Sequence, residues 1–342
     1  MKKILLIGLL LGHPLMAYAE GQDAAGNDPA ASMADTTQRQ DVGLNVVDPD
    51  LPSTVFWEGF RLENELIRPE SAQPELRRPE LLKPSAPAPK LHSAIALIYD
   101  QQTQRPLYTK NANARASIAS ITKLMTAMVV LDALQPLSEA ISVEASDIDK
   151  LKRTPSRLNV GMTFTRNEML SLALMSSENR AASALARSYP GGTAAAVAAM
   201  NAKARELGMQ NTYFLDPAGL SGGNVSTAQD LVKMVSAANN YALIHQYTTA
   251  SSNSVEGLGG RVLRFINTNP LVRNVGWNIG LSKTGFINEA GRCLVMEANI
   301  NQRSVIIVLL NSWGKRTRIG DANRIKKWME SADTRSRPPR RG

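Results

Sequence analysis

Two β-runs open the foldable part of the chain and three more close it, and that arrangement limits the architectures available. Ser93 to Tyr99 is β-rich with alternating character, and Pro106 to Tyr108 returns after a polar turn to make a hairpin. Far along the chain come Asn278 to Gly285, Cys293 to Ile300 and Ser304 to Leu310, the last two joined by Asn301-Gln302. The pattern between the two groups is helical. Leu124, Met125, Met128, Val129 and Leu131 recur with helical spacing. Thr165-Arg166-Asn167-Glu168 is a capping box before Met169 to Met175, and Ser177-Glu178-Asn179 breaks the chain before Arg180 to Arg187. Further helices are expected at Ala194 to Leu207, from Ser226 through Ala238 with Gln229 at the capping-box position, and at Asp321 to Met329. Two strands, many helices, three strands and a helix imply an α+β fold. One antiparallel sheet of about five strands would carry a helical lobe beside it, with a cleft between them.

Composition marks off what surrounds this domain. Lys2 and Lys3 precede the apolar run Ile4 to Leu11, and Ala17-Tyr18-Ala19 is a small-x-small cleavage pattern before Glu20. Residues 1–19 therefore read as an export signal, cleaved near Ala19. The run is too short to cross a bilayer, and no later segment approaches the roughly 18 apolar residues a spanning helix needs. Residues 20–90 are rich in Ala, Asp, Gln and Pro, with Pro69, Pro74, Pro79 and Pro84 evenly spaced. Spaced prolines favour extended polyproline II, so this segment reads as a disordered tether. Within it, Val55-Phe56-Trp57-Glu58-Gly59-Phe60 could dock on the domain or on a partner. Residues 91–332 are long enough to bury a real core as one domain. Residues 333–342, with Arg335, Arg337, Arg340 and Arg341, form a basic tail. The net charge of +9 suits a weak electrostatic association with an anionic wall or membrane surface, and export removes nucleic acid as a partner.

Three short motifs carry the chemistry, in order: Ser120-Ile121-Thr122-Lys123, Ser177-Glu178-Asn179 and Lys283-Thr284-Gly285. Together they supply a nucleophile, an amine base one helical turn away, a polar relay and a cationic anchor on a strand edge. These are the parts of acyl transfer through a serine ester. Ser120 opens an apolar-periodic helix, where an unpaired N–H and the helix dipole both favour developing negative charge. Other chemistries lack their residues. Of three histidines, His13 lies in the export signal, and His92 and His245 stand near no nucleophile elbow. Two scattered histidines and one cysteine give no metal-ligand spacing, so no metal is expected and no cofactor is required. Cys293, the single cysteine, reads as a small hydrophobe in a strand.

With Ala119 to Thr126, Leu174 to Ala182 and Thr284-Gly285-Phe286, the chain resembles the low-molecular-mass penicillin-binding proteins. Leu207-Gly208-Met209, Phe214 to Leu220 and Ser226 to Leu231 make it most similar to their D-alanyl-D-alanine endopeptidase branch. The resemblance covers about Leu91 to Met329 and implies a single catalytic domain of the β-lactamase/DD-peptidase type. It implies that Ser120 attacks a penultimate D-Ala carbonyl, that Lys123 is its base, that Ser177 relays a proton, and that Asn179 holds Lys123 and substrate. Lys283 and Thr284 would bind a carboxylate on the leaving side. Gly285 would let substrate approach the strand, and the N–H groups of Ser120 and Phe286 would form the oxyanion hole. For Lys123 to be neutral, burial and the nearby Lys283 cation would have to lower its pKa. The implied substrate is a cross-linked stem peptide of peptidoglycan, in the periplasm, with β-lactams as covalent inhibitors. No Glu-x-x-Leu-Asn follows Ser177, which argues against a class A β-lactamase. A D-Ala-D-Ala carboxypeptidase and a catalytically idle wall-binding adaptor remain as alternatives.

Overall fold

The structure, a computed structural model, describes residues 87–334. The segment expected to be an export signal, nearly all of the expected tether, and the tail beyond residue 334 lie outside the described residues. The described chain opens with β1 (Ile95–Asp100), β2 (Arg105–Lys110), the short β3 (Ala116–Ser117) and α1 (Thr122–Asp132). It continues with β4 (Ala140–Ser142), β5 (Thr163–Thr165), α2 (Arg166–Met175), α3 (Asn179–Arg187), α4 (Gly192–Glu206), β6 (Val225–Ser226), α5 (Ala228–Ala238) and α6 (Ala242–Thr249). The hairpin β7 (Ser252–Glu256) and β8 (Val262–Ile266) precedes β9 (Asn278–Ile287), β10 (Gly291–Ile300), β11 (Arg303–Ser312) and α7 (Thr317–Thr334).

The expected five-stranded antiparallel sheet is present, in the order β2-β1-β11-β10-β9. The N-terminal hairpin joins the C-terminal meander through β1 and β11, with Leu97 opposite Val308 and Tyr99 opposite Ile306. Both faces of this sheet are covered, which explains why Val305 to Leu310 is apolar without a break. On one face Leu294, Met296, Ile307 and Leu309 pack with Ala322, Ile325 and Met329 of α7. On the other, Val295, Ile306 and Val308 join the larger core of the helical lobe. Cys293 belongs to that second face, fully buried, and burial pushes its thiol up to about 11, so it behaves as a hydrophobe.

The centre of the lobe is α1, with nine of its eleven residues buried. A helix enclosed on all sides cannot be amphipathic, and Thr122, Lys123 and Thr126 are buried with the apolar residues. The cap of α2 is as the sequence indicates: Glu168 N donates to Thr165 Oγ1 at 3.2 Å and Thr165 N to Glu168 Oε2 at 2.8 Å. The start of α5 differs by one residue. Thr227 is its cap, accepting from Asp230 N at 3.1 Å, because Ser226 is held extended opposite Ala116 in the β3–β6 pair. The sequence reading missed α6 and the β7–β8 hairpin, in which each strand has only five residues and β7 is polar.

The C-terminal helix is tied to the first strand by one carboxylate. Asp321, fully buried, accepts from Ser93 N at 2.7 Å, Ser93 Oγ at 2.6 Å and His92 N at 3.0 Å, and pairs with Arg324 at 2.6 Å. Asp321→Ala would orphan the buried Ser93 donors. It should cost about 2–4 kcal/mol, read as a shift of the urea midpoint, with Asp321→Asn costing less.

Candidate active site

The nucleophile turn is built before α1 rather than inside it. Ala119–Ile121 form a single 3₁₀ turn, and the α-helix begins at Thr122, so Ser120 stands just before the helix that the sequence reading has it open. Ala119 takes a left-handed φ of 48°, a conformation that costs a non-glycine residue free energy. Thr122 Oγ1 donates to Ala119 O at 2.7 Å and braces this turn. Two glycines close on it from either side. A Cβ at Gly219, where φ is +76°, would sit 2.0 Å from Ala119 O. One at Gly285 would sit 2.8 Å from Ile118 O and 3.1 Å from Ser120 N. Gly285 thus lets the strand approach the nucleophile turn, a role the motif alone did not reveal.

Lys123 reaches back from the first turn of α1. Its Nζ lies 2.8 Å from Ser120 Oγ, 2.7 Å from Asn179 Oδ1 and 2.6 Å from Ala218 O, with the side chain buried. An ammonium has three N–H groups, and each has an oxygen here. Burial lowers the Lys123 pKa to about 7. The carboxylates of Asp216, Glu178 and Asp149 oppose that shift, and Lys283 is not among its causes, contrary to the sequence expectation.

Two further carboxylates fix the acceptors. Asp216 accepts from the N–H groups of Ala218, Gly219, Leu220 and Ser221 at 2.6–3.1 Å, locking the loop that aims the Ala218 carbonyl. Asp149 accepts from Leu151 N, Lys152 N, Thr154 N and Thr154 Oγ1 at 2.8–3.0 Å. Thr154 Oγ1 in turn receives the Asn179 amide at 2.8 Å, so the Asn179 oxygen is left pointing at Lys123.

The second pair of motifs meets across the cleft. Lys283 Nζ donates to Ser177 Oγ at 2.8 Å and to Thr284 O at 3.0 Å. Ser177 sits at a left-handed φ of 63° in the break between α2 and α3. Burial holds the Lys283 pKa well below its ordinary value, helped by the neighbouring cations Lys123 and Arg318. Thr284 donates to Thr268 Oγ1 at 2.7 Å. Phe286 follows on β9, half exposed beneath the Arg292 guanidinium, which lies 4.5 Å from its ring centre. β9 is the edge strand of the sheet, so one row of its backbone groups faces the cleft.

All eight residues singled out from the sequence therefore lie on the nucleophile turn and the first turn of α1, at the α2–α3 break and the start of α3, or on β9. Four contributors were not singled out from sequence: Asp216, Asp149, Thr154 and Arg318. Arg318, at the start of α7, is buried, and its Nε and Nη1 have no hydrogen-bond partner among the described residues. It is coupled electrostatically to Lys283 and Arg292. An arginine early in a C-terminal helix carries no sequence mark of this kind. His245 is structural, its ring nitrogens 2.6 Å from Gly280 O and 2.8 Å from Asn239 O.

Residues 82–314 match the model of peptidase family S11, the D-alanyl-D-alanine carboxypeptidases, and the chain belongs to that family. It is similar to the D-alanyl-D-alanine endopeptidase of Pseudomonas aeruginosa, with 48% identity over 250 residues covering 73% of this chain and 81% of that protein. The Escherichia coli D-alanyl-D-alanine endopeptidase is 47% identical over 248 residues, covering 72% and 80%. Among solved structures, a Streptomyces DD-transpeptidase superposes with a TM-score of 0.66 at 28% identity, covering 71% of this chain and 99% of that one. The fold is thus that of the DD-peptidases.

Gly219→Ala would add backbone strain to a direct clash with Ala119. It should destabilise the protein by about 2–4 kcal/mol, seen as a lowered thermal midpoint. Alanine at Gly161, where no atom lies within 4 Å of the added Cβ despite a φ of +88°, should cost less.

Proposed function

We propose that the chain is a serine D-alanyl-D-alanine endopeptidase that hydrolyses D-Ala-diaminopimelate cross-links of peptidoglycan through an acyl-enzyme. The observation that carries this reading is the 2.8 Å contact between Ser120 Oγ and the buried amine of Lys123. An amine with a pKa near 7 is neutral in a large fraction of molecules at neutral pH and can take the hydroxyl proton. The same geometry serves both states: the charged amine donates to Ser120 Oγ, and the neutral amine accepts from it.

In the reaction, Ser120 Oγ bonds to the D-Ala carbonyl carbon as its proton passes to Lys123. The N–H groups of Ser120 and Phe286 stabilise the oxyanion. The C–N bond then breaks, and the leaving amine takes a proton relayed through Ser177, which Lys283 positions. Asn179 holds Lys123 and the substrate backbone. Lys283, Thr284 and Arg318, whose Nε and Nη1 have no partner among the described residues, attract the carboxylate beside the leaving amine. Water then hydrolyses the ester.

A β-lactam acylates Ser120 by the same route, but its leaving group stays attached and shields the ester. Of the three carboxylates near Lys123, Asp216 and Asp149 each already accept four hydrogen bonds, and Glu178 accepts from Ser156 Oγ at 2.7 Å, which disfavours activation of a deacylating water. β-Lactams are therefore inhibitors that remain bound. The endopeptidase reading is favoured over the carboxypeptidase by the relatives named above: identity to the Bacillus subtilis D-alanyl-D-alanine carboxypeptidase is 31%. Such a substrate requires export, consistent with an N-terminal signal and a periplasmic location. No helix among the described residues is long and apolar enough to cross a membrane. The net charge of +9 and the basic tail would add weak attraction to the anionic wall.

Mass spectrometry of products from a purified cross-linked muropeptide dimer is the direct test, with two monomers expected from the wild type and none from Ser120→Ala. Loss of a terminal D-Ala alone would make the protein a carboxypeptidase. The rate of acylation by a penicillin should rise with pH through an apparent pKa near 7, because deprotonation of Lys123 creates the base. Lys123→Arg should lower that rate by at least about 10²-fold; an unchanged rate and pH profile would remove Lys123 as the base.

A further inference from the structure

The loop that carries the Ala218 carbonyl is followed by a buried amide that reaches back into the nucleophile turn. Asn224 is fully buried. Its Oδ1 accepts from Leu215 N at 2.9 Å and Asp216 N at 3.2 Å, and its Nδ2 donates to Asp216 O at 2.8 Å and to Thr122 Oγ1 at 3.0 Å. Two N–H groups on one side and a carbonyl on the other leave a single orientation of the amide. The main-chain carbonyl of Asn224 also accepts from Ile118 N at 3.0 Å. Asn224 therefore bonds to the chain on both sides of Ser120, before it at Ile118 and after it at Thr122.

The consequence concerns one proton. Thr122 Oγ1 accepts from Asn224, so its own hydrogen goes the other way, to Ala119 O at 2.7 Å. Ala119 O accepts from Thr122 N as well. The Ala119 carbonyl and the Ser120 N–H belong to one planar trans peptide and point in opposite directions. Holding the oxygen toward Thr122 thus fixes the direction of the N–H, which is an oxyanion donor in the reaction above. We propose that Asn224 and Thr122 are positioning residues that orient the Ser120 N–H for the oxyanion. This rests on the acyl-enzyme reading above. What the pair restrains is the left-handed φ of 48° at Ala119. A non-glycine residue relaxes toward negative φ when such a restraint is lost, and that turns the peptide that follows it.

The test follows acylation of the mature chain by a fluorescent penicillin, with the reversible binding constant and the limiting acylation rate resolved by stopped flow. An oxyanion donor acts in the transition state rather than in the bound ground state, so a misaligned one lowers the rate and leaves binding alone. Thr122→Val keeps the shape and removes the hydroxyl. It should lower the limiting rate about tenfold or more, with the binding constant moved less than about twofold. Thr122→Ser should restore most of the rate. Asn224→Asp supplies no donor, so the Thr122 proton turns to the new carboxylate. Its loss should match that of Thr122→Val, and the double variant should be no slower than either alone, because both act through one hydroxyl. If Asn224→Asp does not fold, the Thr122 pair decides. Thr126→Val is the control for stability: Thr126 Oγ1 donates to Pro217 O at 2.6 Å in the same loop but lies off the path to Ala119. Its rate should stay within about twofold of the wild type. A wild-type rate in Thr122→Val, no rescue by Thr122→Ser, an equal loss in Thr126→Val, or a loss confined to binding overturns the proposal. A wild type that the penicillin does not acylate would instead remove the acyl-enzyme reading itself, which is seen before any variant is made.

Discussion

The buried amine of Lys123 is the constraint on which the rest of this structure depends. Removing an ammonium from water costs several kcal/mol unless every donor is met. Its three acceptors come from three separate parts of the chain: the nucleophile turn, the start of α3 and the 216–221 loop. Each acceptor is then fixed by its own support. Two glycines pin the turn, Thr154 orients Asn179, and Asp216 saturates the loop N–H groups. The architecture of the lobe can be read as the means of delivering three oxygens to one nitrogen.

Around that nitrogen the electrostatics are divided. Carboxylates from Asp149, Glu178 and Asp216 surround Lys123 and moderate the shift that burial imposes, leaving it near neutrality. On the other side of the cleft burial, helped by the neighbouring cations Lys123 and Arg318, holds Lys283 well below its ordinary pKa. A base is needed on one side and an anion receptor on the other, and this asymmetry provides both. The buried Arg318 Nε and Nη1, without hydrogen-bond partners among the described residues, are costly in the free protein. An incoming carboxylate would offset that cost, so the binding site carries its own driving force.

Much of this was legible without coordinates. The order of apolar runs placed all five strands of the main sheet, because period-2 and β-rich segments of that length have few other uses. The capping box at Thr165 and Glu168 marked the start of α2 to the residue, since its reciprocal hydrogen bonds are local. Elements whose stability comes from elsewhere were not legible. The β7–β8 hairpin pairs a short polar strand with a five-residue one, and α6 is held in part by the His245 ring against Gly280 O, 35 residues away. The cap of α5 shifted by one residue for the same reason: pairing with β3 claimed Ser226 first.

By itself the sequence determined the types of group at the site and their order along the chain. Nucleophile, amine, amide and second cation are identities, and the spacing of Ser120 and Lys123 across one turn brings them together through local geometry alone. Tertiary structure decided everything that required distant segments to meet. The depressed pKa of Lys123 arises from enclosure by α1, α3 and the 216–221 loop, which no local pattern encodes. Arg318 entered the site because α7 docks where Asp321 grips Ser93, and Phe286 lies beneath Arg292 because β9 and β10 fell into one register. Burial and juxtaposition are properties of packing, and a sequence specifies packing only through the fold as a whole.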